Sequence, residues 1–234
     1  MTDNVLSESL NQARHRLEQA LIDAGRPTTG ATLLAVSKTK PASMIRQAYA
    51  EGQQAFGENY LQEALDKQVE LADLTDIEWH FIGPLQSNKT RAVAENFDWV
   101  HSIDRLKIAK RLNEQRPTGS APLNVCLQVN ISDEETKSGV LPDALSELAA
   151  EIARLPNLRL RGLMAIPAPA DTLEAQRQPL AALREAFERL KNDLPDAPLD
   201  TLSMGMSDDL EAAILEGATQ VRLGTAIFGA RQAH

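Results

Sequence analysis

TLLAVSKTKP, residues 32–41, is an apolar run that ends on two lysines and a proline. A run this short with a proline stop reads as a buried β-strand, because a buried helix of the same apolarity needs roughly ten or more residues. Helix-period sequence follows, and then a second short run, QAFGEN from residue 54. The unit recurs at EWHFIG (from 78), DWVHSID (98), LNVCLQVN (123), LRLRGLMAIP (158), TLSMGM (201) and QVRLGTAIFG (220). Between these runs lie longer segments with apolar residues three and four apart, among them 60-YLQEALDKQVELADL, 143-DALSELAAEIARL and 174-EAQRQPLAALREAFERLKND. Strand then helix, repeated about eight times, predicts an α/β chain; a doubly wound sheet shares the alternation, but the count favours a single (β/α)8 TIM barrel.

Ahead of the first strand, Leu6, Leu10, Ala13, Leu17, Leu21 and Ala24 share one helical face. The first ~25 residues therefore predict an extra N-terminal helix, closed by Gly25 and Pro27. No linker divides the pattern, so one domain is expected over 1–234. The segment PAPADT from 167 reads as a proline-broken loop, and Pro179 predicts an interruption in the helix after it.

Hydrophobic residues make up 43% of the chain and charged residues 24%, which supplies a sizeable core. The formal net charge of −9 predicts repulsion from nucleic acid and anionic membranes, so an anionic ligand would need its own cationic site. The single cysteine, Cys126, excludes a disulfide framework, and the four histidines lack metal-ligand spacing. With no apolar leader and no uncharged run long enough to span a bilayer, a soluble protein of the reducing cytoplasm is expected.

In a barrel of this kind the active site is built at the C-terminal ends of the strands. Period-two alternation sets Leu34, Val36 and Lys38 on one face, which would bring the Lys38 ammonium over the barrel's packed interior. Desolvation there lowers a lysine pKa and favours the neutral amine that condenses with an aldehyde; a lysine that only caps the strand is the alternative. At the last two strand ends, Ser203 to Gly205 and Gly224-Thr225 offer hydroxyls and closely approachable backbone as a phosphate cradle. Asp208 and Glu211 also match a capping box there, which would oppose an anion deeper in that turn. Arg222, on the face of Gly224, must contact either a ligand or a carboxylate. Asn59 is a turn residue or a ligand donor, while His80 and His101 read as core or supporting histidines.

Taken together, LLAVSKTKP, FGENYLQEA, WHFIGPLQSNK, GLMAIP and LSMGMSDDLEAAI…VRLGTAIFGAR closely resemble the pyridoxal 5′-phosphate homeostasis protein family over nearly the whole chain. The resemblance implies a fold-type III barrel like the alanine racemase N-terminal domain, with pyridoxal 5′-phosphate held as a Schiff base on Lys38. It implies further that Asn59 is the asparagine of the family's GEN motif and that Arg222 faces the pyridine nitrogen. The phosphate would lie near Ser203 to Gly205 and near Gly224-Thr225.

A cation beside the ring nitrogen keeps it unprotonated and makes it a poorer electron sink. A non-catalytic carrier or buffer of the cofactor is therefore expected, with apo-enzymes that use it as partners and a monomeric state. The alternatives are a racemase-like enzyme with a group such as His80 opposite Lys38, and a barrel aldolase that uses the lysine without cofactor. A fold-type III racemase adds a second domain and a partner tyrosine, whereas the tyrosines here, Tyr49 and Tyr60, lie early in the barrel.

Overall fold

The computed structural model describes residues 3–135 and 138–230. Eight parallel strands close on themselves in sequence order: β1 (Thr32–Val36), β2 (Ala55–Glu58), β3 (Glu78–Phe81), β4 (Trp99–Ile103), β5 (Leu123–Gln128), β6 (Leu158–Met164), β7 (Thr201–Ser203) and β8 (Gln220–Leu223). The barrel is completed by β8 against β1, with Leu34 opposite Arg222 and Ala35 opposite Leu223. The expected barrel is thus the observed one.

Around it run α1 (Asp3–Asp23), α2 (Ala42–Ala50), α3 (Leu61–Glu70), α4 (Thr90–Asn96), α5 (Leu106–Gln115), α6 (Pro142–Ala153), α7 (Leu173–Asp193), α8 (Leu210–Leu215) and α9 (Thr225–Phe228). The N-terminal helix α1 lays Leu6, Leu10, Ala13, Leu17 and Leu21, all buried, against α2, α8 and α9. Gly25, at φ +70, turns the chain out of it. Segment 165–172 is irregular, as its prolines require. Pro179, by contrast, does not interrupt α7, which runs through it for 21 residues. The proline costs one early hydrogen bond, while Leu180, Leu183, Ala186, Phe187 and Leu190 beyond it are buried on one face and hold the helix to the barrel.

Strand alternation separates two cores. Outward residues such as Ala35, Phe56, Phe81, Val100, Leu127, Leu163 and Val221 join the helices in one large apolar cluster. Inside the barrel, Trp99, Cys126 and Met164 form a separate small cluster. There, Trp99 stacks on His80, with ring centroids 5.3 Å apart, and carries the Arg161 guanidinium 4.7 Å from its ring centroid. Arg161 is tied to Asp200 at 2.7 Å and to Asn124 Oδ1 at 2.9 Å. Among the described residues no helix is long and apolar enough to cross a membrane.

Candidate functional site

At the C-terminal mouth of the barrel the strand ends enclose a cavity of about 400 Å³. Its walls include Val36 at the end of β1 and Lys38 beyond it, Asn59 beyond β2, Ile82 beyond β3, Ile166 beyond β6, Met206 and Ser207 after β7, and Arg222, Gly224 and Thr225 at and just after β8. The volume lies within the range of small-molecule and cofactor sites. Its charge is opposite to that of the chain: the titratable side chains among the lining residues are Lys38, Lys40 and Arg222, all cationic. In a chain of net charge −9, that makes the cavity locally positive.

Arg222 is 5% exposed, and burial pulls its pKa down to about 10. Its Nη2 donates to the Ala165 carbonyl at 3.0 Å, yet its buried Nε has no partner. Across the cavity wall the Asn59 Oδ1 is also buried without a partner. Gly83 brings that asparagine in, since a Cβ at 83 would stand 2.3 Å from the Asn59 carbonyl oxygen. An unmade donor and an unmade acceptor on two residues that line one cavity leave hydrogen bonds there for a ligand to complete. A ligand suited to these atoms brings an acceptor to Arg222 Nε and a donor to Asn59 Oδ1, in the cavity that Lys38 also lines.

The expected phosphate loops divide in the structure. Gly224 and Thr225 line the cavity; Ser203 and Gly205 do not. Strand β7 ends at Ser203, which is fully buried with its hydroxyl 2.7 Å from His101 Nδ1. Gly205, at φ +102, then turns the backbone, so the side of the loop facing the cavity is Met206-Ser207. The capping box expected at Asp208 and Glu211 is displaced: the N-cap of α8 is Asp209, whose Oδ1 accepts the Met206 N–H at 2.7 Å, and Glu211 pairs with Arg16. His80 and His101 lie inside the barrel, outside the cavity wall. Tyr49 bonds Asp76 and Tyr60 precedes α3 at the surface.

Residues 9–232 match the model of the alanine racemase N-terminal domain family. The pyridoxal phosphate homeostasis protein of Pseudomonas aeruginosa is 61% identical over 228 residues, covering 97% of this chain and 96% of the relative. The chain belongs to the pyridoxal phosphate homeostasis protein family. The family member of Escherichia coli K12 is 56% identical over 230 residues, covering 97% of both chains. Among solved structures, PipY of Synechococcus elongatus with PLP bound is 39% identical with a TM-score of 0.85, over 96% of this chain and all of that one. Alanine racemase of Corynebacterium glutamicum shares the fold, with a TM-score of 0.71 at 20% identity over 98% of this chain and 62% of its own.

Two arrangements near the cavity escaped sequence reading. Lys67, buried on α3, contacts Glu58 Oε1 at 2.5 Å, Glu63 Oε1 at 3.0 Å and the Ser37 carbonyl at 2.7 Å. Inside the barrel, Glu78, His80, His101 and Ser203 form a continuous hydrogen-bonded chain. The one available signal was that Glu63 and Lys67 are four apart on a helix, which is common on solvated faces and pointed nowhere.

Proposed function

We propose that this chain binds pyridoxal 5′-phosphate at the barrel mouth and holds it in reserve for enzymes that need it; the relatives named pyridoxal phosphate homeostasis protein and the PipY structure with PLP bound support the reading. The observation that carries the reading is the pair of unpartnered buried atoms, Arg222 Nε and Asn59 Oδ1, in one cavity with Lys38. When bound, the cofactor supplies an aldehyde and an electron-withdrawing ring. Lys38 provides the amine that condenses with such an aldehyde. Asn59 Oδ1 would accept from a hydroxyl of the cofactor, and Arg222, still cationic at neutral pH, would stand by the ring nitrogen and keep it unprotonated. Gly224, Thr225 and Ser207 would hold the phosphate, with Gly205 shaping that loop and Ser203 anchoring it from behind.

Holding rather than turnover is supported by the wall itself. Among the described lining residues there is no histidine, tyrosine or carboxylate to serve as a second acid or base opposite Lys38. His80, the group a racemase-like reading would use, is engaged between Glu78 and His101. The same reading treats residues 1–234 as one cofactor-binding domain, since the sheet closes only when β8 returns to β1. It also takes the protein as a monomer of a reducing cytoplasm, whose recipients are apo-enzymes that use this cofactor.

The test is a titration of the purified full chain with pyridoxal 5′-phosphate, followed by borohydride reduction and peptide mapping. A visible absorption band and a label on Lys38, both lost in Lys38→Ala, are expected. A colourless protein, or a label elsewhere, overturns the reading. Deuterium uptake from solvent at the α-carbon of alanine, dependent on Lys38, would place the chain among enzymes instead.

A further inference from the structure

Lys38 sits in a tight turn of an unusual kind. The Lys40 N–H donates to the Ser37 carbonyl at 3.1 Å, which makes 37–40 a β-turn with Lys38 second and Thr39 third. Thr39 has φ +66, and among the described non-glycine residues only Asp133 shares a positive φ. A left-handed third position normally calls for glycine or asparagine; a β-branched side chain there is strained. Such strain persists only where the surroundings over-determine it.

Here the surroundings are three ionisable side chains that do not line the cavity. Thr39 donates its N–H to Glu63 Oε1 at 2.5 Å, and the Ser37 carbonyl, one residue before Lys38, accepts from Lys67 Nζ at 2.7 Å. Glu63 and Lys67 are themselves joined at 3.0 Å, and Glu58, fully buried, meets Lys67 at 2.5 Å. The three ammonium protons of Lys67 thus find three oxygens: Ser37, Glu58 and Glu63. Ser37 is further tied to β2 through its N–H and the Gly57 carbonyl, 3.0 Å away. A buried ion pair is a poor way to add stability. Placed on both flanks of one residue, it is an effective way to fix a direction.

We propose that Glu58, Glu63 and Lys67 are positioning residues for Lys38, clamping the peptide groups on either side of it so that a strained turn keeps its amine aimed into the cavity. The inference rests on the reading of Lys38 as the cofactor's amine. It assigns to α3 a role in the site that none of its residues plays by contact.

The test compares the wild-type full chain with Glu63→Ala, Glu63→Gln and Thr39→Gly/Glu63→Ala, by titration with pyridoxal 5′-phosphate and by the pH at which the Schiff-base band shifts. Glu63→Ala should weaken apparent binding roughly tenfold and displace that pH midpoint, because a small misdirection of a reacting group is costly. Glu63→Gln, which keeps an oxygen for the Thr39 N–H, should stay close to wild type. In the double variant glycine adopts the left-handed conformation without strain, so binding should recover. Wild-type behaviour in Glu63→Ala, with Lys38 still labelled, overturns the clamp and leaves the cofactor reading standing. Loss in Glu63→Ala without recovery in the double variant also overturns it. A wild-type protein with no band or no label on Lys38 instead removes the cofactor reading beneath it.

Discussion

His80 Nδ1 and His101 Nε2 stand 2.8 Å apart inside the barrel, two imidazoles hydrogen-bonded directly to each other. The ends of this pair decide its protons. Glu78 lies 2.6 Å from His80 Nε2, and that bond holds its carboxyl below the ordinary range, so it accepts. His80 therefore donates from Nε2 and accepts at Nδ1, His101 donates from Nε2, and its Nδ1 accepts the Ser203 hydroxyl proton. One tautomer of each ring satisfies all three bonds.

That order makes the fold acid-sensitive. Burial above all, and the nearby Arg222 guanidinium, hold His101 well below its ordinary pKa, so the native ring stays neutral while the unfolded one protonates below about pH 6.5. The unfolded state then binds the extra proton, and stability is lost as pH falls through that value, by about 1 kcal/mol for each pH unit. Urea unfolding at pH 7.5, 6.5 and 5.5 should show this slope in wild type and a smaller one in His101→Gln. Equal slopes would mean that His101 is not held neutral.

Glu58 works in the opposite sense. Burial raises its pKa from 4.5 to about 7, against the pull of Lys67. Between those values the native state holds the extra proton, so this group's contribution is full at low pH and declines as pH rises through about 7, by roughly 1–3 kcal/mol in total. The two slopes partly cancel in wild type. Glu58→Gln should therefore steepen the acid loss due to His101, and unchanged unfolding curves would contradict the raised pKa.

Arg222 predicts a division between stability and binding. Its guanidinium is desolvated, lacks a partner at Nε and donates from Nη2 to the Ala165 carbonyl. In Arg222→Met the lost bond is offset by removal of a buried charge, so unfolding free energy should change by no more than about 1 kcal/mol. Affinity for pyridoxal 5′-phosphate should fall at least about tenfold, since a charge-assisted contact is lost. Loss of both together would make the residue structural first.

Cys126 is fully buried, and burial pushes its thiol up to about 12. A thiolate is the reactive form, so a thiol reagent should leave the folded protein untouched and label it only as it unfolds. Fast labelling at neutral pH would show an opening of the barrel that the packing of Trp99 and Met164 around it does not allow.

Much of this architecture was legible one segment at a time. Alternation of short apolar runs with helix-period sequence announced the barrel, and parity along β1 and β8 placed Leu34, Val36, Lys38 and Arg222 inward, where they are found. Ser203 shows where parity stops: it was expected at the phosphate but is buried against His101, because β7 is three residues long and the loop reaches the cavity only after Gly205 has turned it.

From sequence alone, then, came what is local and periodic: which faces are apolar, which strand ends carry a lysine, an asparagine, an arginine and a Gly-Thr turn. Tertiary structure alone decided which of these meet. Closing β8 on β1 sets Arg222 beside Leu34 across most of the chain, and packing α3 on the first two strands sets Lys67 under Ser37. Such meetings depend on register and height around a closed sheet, which are long-range quantities; residue periodicity fixes a direction for each side chain but no neighbour to receive it.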